Sequence, residues 1–220
     1  MQGIRLDRRE ALRYLGAAEA EAVLPAVEDM AQRLEDALAP RFVYKDYPLD
    51  WKDGAAYLPD ANLSLPGTLA KRVLQDCDAA VLLLCTLGAR FDALLRAWQA
   101  RDMASAVILD ACGSAYVEAG CAAAEAEISA RHPHLFLTDR FSPGYGDLPL
   151  EIQRDLVAAV NGEKYLGVCV TPSLLMAPAK TVSAVIGLAR RPQAAVIRGC
   201  DHCALRHKCA YRKRGMTCAV

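Results

Sequence analysis

The chain has 220 residues, with 26 Lys and Arg set against 26 Asp and Glu, 54% hydrophobic residues and only 6% aromatics. That length can bury a core in one domain, or in one domain with a short appendage. Balanced charge sets up no field toward nucleic acid or an anionic membrane, and no basic stripe alternates with the aromatics, which argues against a nucleic-acid groove. The longest uninterrupted apolar run, Ala79–Cys85, is too short to span a bilayer. The first ten residues are charged and lack a secretory apolar core. A cytoplasmic protein with no membrane partner is expected.

Residues 8–15 read as a helix that stops at Gly16. A longer helix over 20–38 sets Leu24, Val27, Met30, Leu34 and Leu38 on one stripe, with Pro25 either in its first turn or bending it. After Pro40, Arg41–Tyr47 alternates like a half-buried strand, and residues 48–66, with three prolines and Gly54, read as irregular. Pro66-Gly67-Thr68 opens a helix to Gln75 with Thr68 as its cap. Ala80–Cys85 reads as a buried strand, followed by Thr86-Leu87-Gly88 and a helix over 89–99. The Ala-rich stretch 102–130 predicts a long helix whose faces admit close neighbours, ended by Pro133. Strands are expected at 135–138, 165–170, 181–187 and 194–198, with a helix near 148–160. Helices come first and mixed short elements follow, without steady strand–helix alternation, so the fold class is α+β rather than doubly wound α/β.

Within the Ala-rich helix, Asp110, Ser114 and Glu118 are spaced by four and share a face. They are either solvated charges or a polar line toward a bound cation or ligand amine. A carboxylate buried on such a helix needs a partner: Arg140, a backbone amide or a ligand. The segment Arg140–Asp147 joins a permanent cation to Pro143, Gly144 and Gly146, a combination suited to a ligand rim. A second unusual run, Thr171–Ser183, reads Thr-Pro-Ser-Leu-Leu-Met-Ala-Pro-Ala-Lys-Thr-Val-Ser.

Nine cysteines are present. Cys77, Cys85, Cys112, Cys121 and Cys169 sit in apolar or Ala-rich contexts and are expected to behave as small buried hydrophobes. The other four crowd the end of the chain as Cys200-x2-Cys203-x5-Cys209-x8-Cys218, among Arg206, Lys208, Arg212, Lys213 and Arg214. Basic neighbours stabilise thiolates or an anionic cluster. The four thiols fit a [4Fe–4S] cluster, a structural zinc with His202 or His207 able to replace one sulfur, or unmetallated thiols.

Arg140-x3-Gly144-Tyr145 followed by Met176-x-Pro178-x3-Val182-Ser183 resembles the activation (reactivation) domain of cobalamin-dependent methionine synthase, particularly its stand-alone single-domain relatives. Glu10–Gly16, Thr86–Gly88 and Ile108–Ser114 are similar to those stand-alone forms. The resemblance covers about residues 8–198 and divides the chain into an activation-like domain at 1–198 and a Cys-rich tail at 199–220. It implies a mixed or antiparallel twisted sheet flanked by helices. The family's domain binds S-adenosylmethionine and presents it to a corrinoid whose cobalt has slipped to Co(II). An external electron and the sulfonium methyl then restore methyl-Co(III), keeping methionine biosynthesis running.

By this resemblance Arg140 holds the methionyl carboxylate, Gly144 and Tyr145 form the adjacent wall, and Glu118 matches an acidic residue of the site. The backbone around Ala177–Lys180 lies near the nucleoside or the corrin. Proton transfer is not required, which agrees with the lack of a histidine in 140–147. The chain has neither the Gly-rich loop of doubly wound methyltransferases nor the Asp-x-His-x2-Gly pattern of corrinoid carriers, so cobalamin (vitamin B12) is expected on a partner. The chain departs from the large enzyme's domain at Gly146–Pro149, where Cys and His residues are missing, and in its cysteine tail. The partner is therefore methionine synthase or another corrinoid protein. Electrons come through the tail or from a donor such as flavodoxin or ferredoxin. The competing expectation is a non-catalytic corrinoid-protein binding or assembly module with a zinc-held tail.

Overall fold

The computed structural model describes residues 3–16, 21–193 and 197. The tail cysteines Cys200, Cys203, Cys209 and Cys218, and most of the strand expected at 194–198, lie outside the described residues. In chain order the helices are α1 (Arg8–Tyr14), α2 (Leu24–Ala37), α3 (Thr68–Leu74), α4 (Ala89–Gln99), α5 (Met103–Arg131), α6 (Ile152–Ala159) and α7 (Gly162–Leu166). The strands are β1 (Arg41–Pro48), β2 (Asp50–Lys52), β3 (Ala55–Leu58), β4 (Leu63–Leu65), β5 (Cys77–Thr86), β6 (Phe136–Leu137), β7 (Cys169–Val170), β8 (Met176–Ala177) and β9 (Thr181–Ala189). They form a four-stranded sheet in the order β1-β5-β9-β6, a three-stranded sheet β2-β3-β4 and a two-stranded sheet β7-β8.

The main sheet is antiparallel. Phe136 faces Ala189 and Leu137 faces Leu188 across β6 and β9. Thr86, at the end of β5, has its hydroxyl 2.7 Å from that of Thr181, at the start of β9. At the other end, a Cβ on Gly187 would fall 2.5 Å from Cys77 Sγ. The fold is thus α+β, as the order of elements predicts. The described residues of 1–44, 83–128 and 153–183 form one compact unit, and those of 45–82, 129–152 and 184–197 a second.

The first unit is organised on α5. Small residues on this helix let other elements approach closely: a Cβ at Gly113 would lie 2.3 Å from the Phe91 ring, and one at Gly120 2.5 Å from Pro40 and 2.7 Å from Cys85 Sγ. By length and composition α5 is apolar enough to cross a membrane, a property that uninterrupted apolar runs do not register. It is nevertheless the core helix here, with Leu109, Cys112, Tyr116, Cys121 and Ile128 among its buried side chains. α2 buries Val27, Met30 and Leu34, while Leu24 and Leu38 are only half-buried, and Pro25 occupies its first turn. Asp7 caps α1 by accepting from the Arg9 and Glu10 amides. Glu35, its side chain 4% exposed, ties α1 and the segment before it to α2, accepting from Arg5, the Leu6 amide and Arg8 at 2.7–2.8 Å.

Two expectations need correction. Residues 165–170 are not one strand: Tyr165 and Leu166 finish α7, which Gly167 ends at φ 68° with its N–H bonded to Glu163 O, so only Cys169 and Val170 are extended. In the second unit, residues 48–66 are not irregular but form the meander β2-β3-β4. Its first turn is Asp53-Gly54, with φ values of 51° and 79°, the two-residue hairpin connection that Asp-Gly favours. That dipeptide was the available signal, outweighed by the prolines. In the same unit α3 buries Leu69, Ala70, Val73 and Leu74. Thr138 exchanges hydrogen bonds with Gly187 on β9.

Candidate functional site

In the second unit the Arg140–Asp147 segment is a pair of linked turns. Phe141 forms an isolated antiparallel bridge with Val185, bringing the chain off the sheet edge. Tyr145 N–H then donates to Ser142 O at 3.0 Å, with Pro143 and Gly144 (φ 89°) between them, the type II arrangement that needs glycine in third place. A second turn through Gly146 (φ 56°) lets Leu148 N–H donate to Tyr145 O, and Gly144 N–H donates to Leu148 O. Phe141, Pro143 and Leu148 are buried, so the loop is anchored by apolar contacts. Arg140 is half-buried and the Tyr145 ring is 51% exposed.

Asp147, read from the sequence as the end of this rim, faces the protein. Its carboxylate accepts from Thr68 N–H at 2.6 Å, Thr68 Oγ1 at 2.7 Å and Leu69 N–H at 3.0 Å. These hydrogen bonds, the one from Leu69 foremost, hold its pKa down to about 2. Thr68 is therefore not the cap of α3. Gly67 holds that position at φ 104°, where a Cβ would fall 2.7 Å from Asp147 Oδ1, and the capping oxygens come from Asp147, far away in sequence.

The first unit carries Glu118, Ala177 and Lys180. Asp110, Ser114 and Glu118 do share a face of α5, each half-buried. The partner of Asp110 is none of the three weighed from the sequence. Lys180 Nζ lies 3.0 Å from Asp110 Oδ1 and donates to Ser114 Oγ at 2.8 Å. The chain on either side of Lys180 is equally constrained: Lys180 O accepts from Leu87 N–H at 3.0 Å and from buried Thr86 at 3.2 Å, and Ala179 N–H donates to the Asp92 carboxylate. Ala177 pairs with Cys169 and precedes a cis bond to Pro178.

Two residues that the sequence reading missed shape the β7–β8 hairpin. Arg154 donates to the carbonyls of Thr171 and Pro172, and Gln153 donates to Leu174 O at 3.0 Å, where Leu174 sits at φ 65°. Their i,i+1 position on α6 carried no signal because the acceptors are backbone atoms. A cavity of about 330 Å³ opens beside α5, lined by Tyr14, Leu95, Gln99, Met103, Asp110 and Ser114 among others. Cys169 is exposed, against expectation, whereas Cys77, Cys85, Cys112 and Cys121 are buried as predicted. Among the described residues no group of three or more His, Cys, Asp or Glu could hold a metal. Arg140, Gly144 and Tyr145 thus belong to one unit, and Glu118, Ala177 and Lys180 to the other.

The sequence matches no known protein family and no curated protein. The structure, however, is similar to a crystal structure of the MetH reactivation domain bound to AdoHcy. The TM-score is 0.65 and the identity 19%, over 91% of this chain and 74% of that one. The chain has an activation-domain-like fold.

Proposed function

We propose that this protein is a stand-alone reactivation subunit that binds S-adenosylmethionine and offers its methyl group to a corrinoid held by a separate protein, a methionine synthase without its own activation domain. One observation carries this reading: the likeness in fold, across 91% of the chain, to a reactivation domain bound to AdoHcy.

The side chains present suit such a ligand. Arg140 offers a planar two-point donor to a carboxylate, and the half-exposed Tyr145 ring of the same unit a face for a sulfonium. S-adenosylmethionine supplies an electrophilic methyl on sulfur and leaves as AdoHcy. Arg140 and the rigid turns at Gly144 and Gly146 orient the methionyl end, and no side chain moves a proton. Holding and aiming the ligand is the chain's contribution. The tail cysteines Cys200, Cys203, Cys209 and Cys218 would hold an iron–sulfur cluster, a group that would supply one-electron transfer.

Calorimetric titration with AdoHcy and S-adenosylmethionine tests the reading. The wild type is expected to bind both. Arg140→Ala removes a charge-assisted contact of about 1.5–3 kcal/mol, a loss of roughly 10- to 100-fold in affinity. A wild type that binds neither, with or without a corrinoid protein present, sinks the proposal.

A further inference from the structure

We propose that Lys180 is a positioning residue: its ion pair with Asp110 sets the Met176–Lys180 run against α5, the helix that carries Glu118. This rests on the ligand-binding reading above, together with the resemblance that matches Glu118 to an acidic residue of the site and sets the backbone around Ala177–Lys180 near the nucleoside or the corrin.

The bonds that fix the run reach three different places. Its backbone is tied to the end of β5 through Thr86 and Leu87, and to α4 through Asp92. The Lys180 side chain reaches α5, with Nζ between Asp110 Oδ1 at 3.0 Å and Ser114 Oγ at 2.8 Å. Glu118 is one helical turn beyond Ser114 on the same face. The lysine is thus the tie that registers the run against the helix face on which Glu118 sits.

The pair adds little to stability by itself, because the Asp110 side chain is 50% exposed. The Lys180 side chain is 17% exposed, and its ammonium has both a carboxylate and a hydroxyl to donate to, which fixes its position. Ser114 is itself fixed, because its hydroxyl donates to Asp110 O at 3.2 Å, leaving the oxygen lone pairs for the lysine. Ligand contacts must be held to within about half an ångström, so loss of one tie acts on affinity more than on folding.

The test is calorimetry with AdoHcy on the full-length wild type, Lys180→Met, Lys180→Arg and Asp110→Asn, with thermal unfolding of each. Lys180→Met and Asp110→Asn are expected to weaken binding about tenfold, whereas Lys180→Arg, which keeps the charge and the reach, stays within about threefold of wild type. Midpoints of unfolding should change little across the set. Wild-type affinity in Lys180→Met, or a Lys180→Arg protein no better than Lys180→Met, overturns the inference and leaves the ligand-binding reading standing. A wild type that fails to bind AdoHcy overturns that reading and the inference with it.

Discussion

Asp147 shows how a residue's role can be hidden by its neighbours in sequence. It follows two glycines and looks like part of a ligand rim, yet its carboxylate is spent on the amides that begin α3. Its pKa of about 2 lies below the ordinary value near 3.9, so the stabilisation is full above about pH 4 and is lost as pH falls through about 2. Asp147→Asn keeps an acceptor but not the charge. It is expected to unfold at a lower temperature than wild type at pH 7, with the two midpoints converging near pH 2. Parallel acid titrations followed by circular dichroism check this, and a constant gap across that range contradicts it. The cysteines make a second residue-scale case. Burial pushes Cys77 and Cys112 up to about 11, with Asp76 and Asp78 adding to the effect at Cys77. At pH 8 only about one thiol in a thousand would be ionised at either site. Native alkylation read by mass spectrometry should therefore mark Cys169 and spare Cys77, Cys85, Cys112 and Cys121 until the chain is unfolded. The sequence placed the four buried cysteines by their apolar surroundings. It misplaced Cys169 because its flanks, Val168 and Val170, point to a buried strand, whereas the hairpin is only two residues deep on each side.

At the scale of elements, periodicity was legible wherever an element was long. The 3.6-residue stripe located α2, and alanine density located α5 to within a residue at each end. Short elements escaped, because β2, β3 and β4 have only three or four residues each and their turns use proline as well as Asp-Gly. Nothing in one sequence could show that the small residues of α5 are occupied by particular partners. That packing makes a prediction with a sign. Gly113→Ala adds about 1 kcal/mol of helix propensity. Its Cβ would also meet the Phe91 ring at 2.3 Å, and that ring is fully buried, so the ring or the helix has to shift. Overpacking of this kind costs about 1–3 kcal/mol, so after the propensity gain a net loss of about 1 kcal/mol is expected by denaturant titration. Phe91→Leu in the same protein should recover part of that loss, since the two changes share one space. A stabilised Gly113→Ala protein would mean that helix propensity outweighs packing at this position.

At the scale of the whole molecule an activation-domain-like fold precedes a stretch of sequence dense in cysteines. Arg140, Glu118 and Lys180 lie within residues 1–198, and the dense cysteines begin at 200. A division at residue 198 rests on the extent of the resemblance alone. The sequence could not supply the three-way tying of the 177–181 run, because Thr86, Asp92 and Asp110 come from separate elements that only the folded chain brings together. Sites that share no partners act additively, which makes removal of the tail cysteines alone the test of this division. Four thiolates with five basic residues among them suit a cluster, whose negative charge they offset. Protein purified without oxygen is then expected to contain iron and acid-labile sulfide in about equal amounts. The double variant Cys200→Ser, Cys203→Ser should lose both while binding AdoHcy as tightly as wild type. It should also fail to support reduction of the partner's cobalt unless an external donor is added. Zinc without sulfide would make the tail a docking element and return electron delivery to a separate protein. AdoHcy affinity falling together with the metal would mean that the tail helps form the ligand site, and the division at residue 198 would then have to be withdrawn.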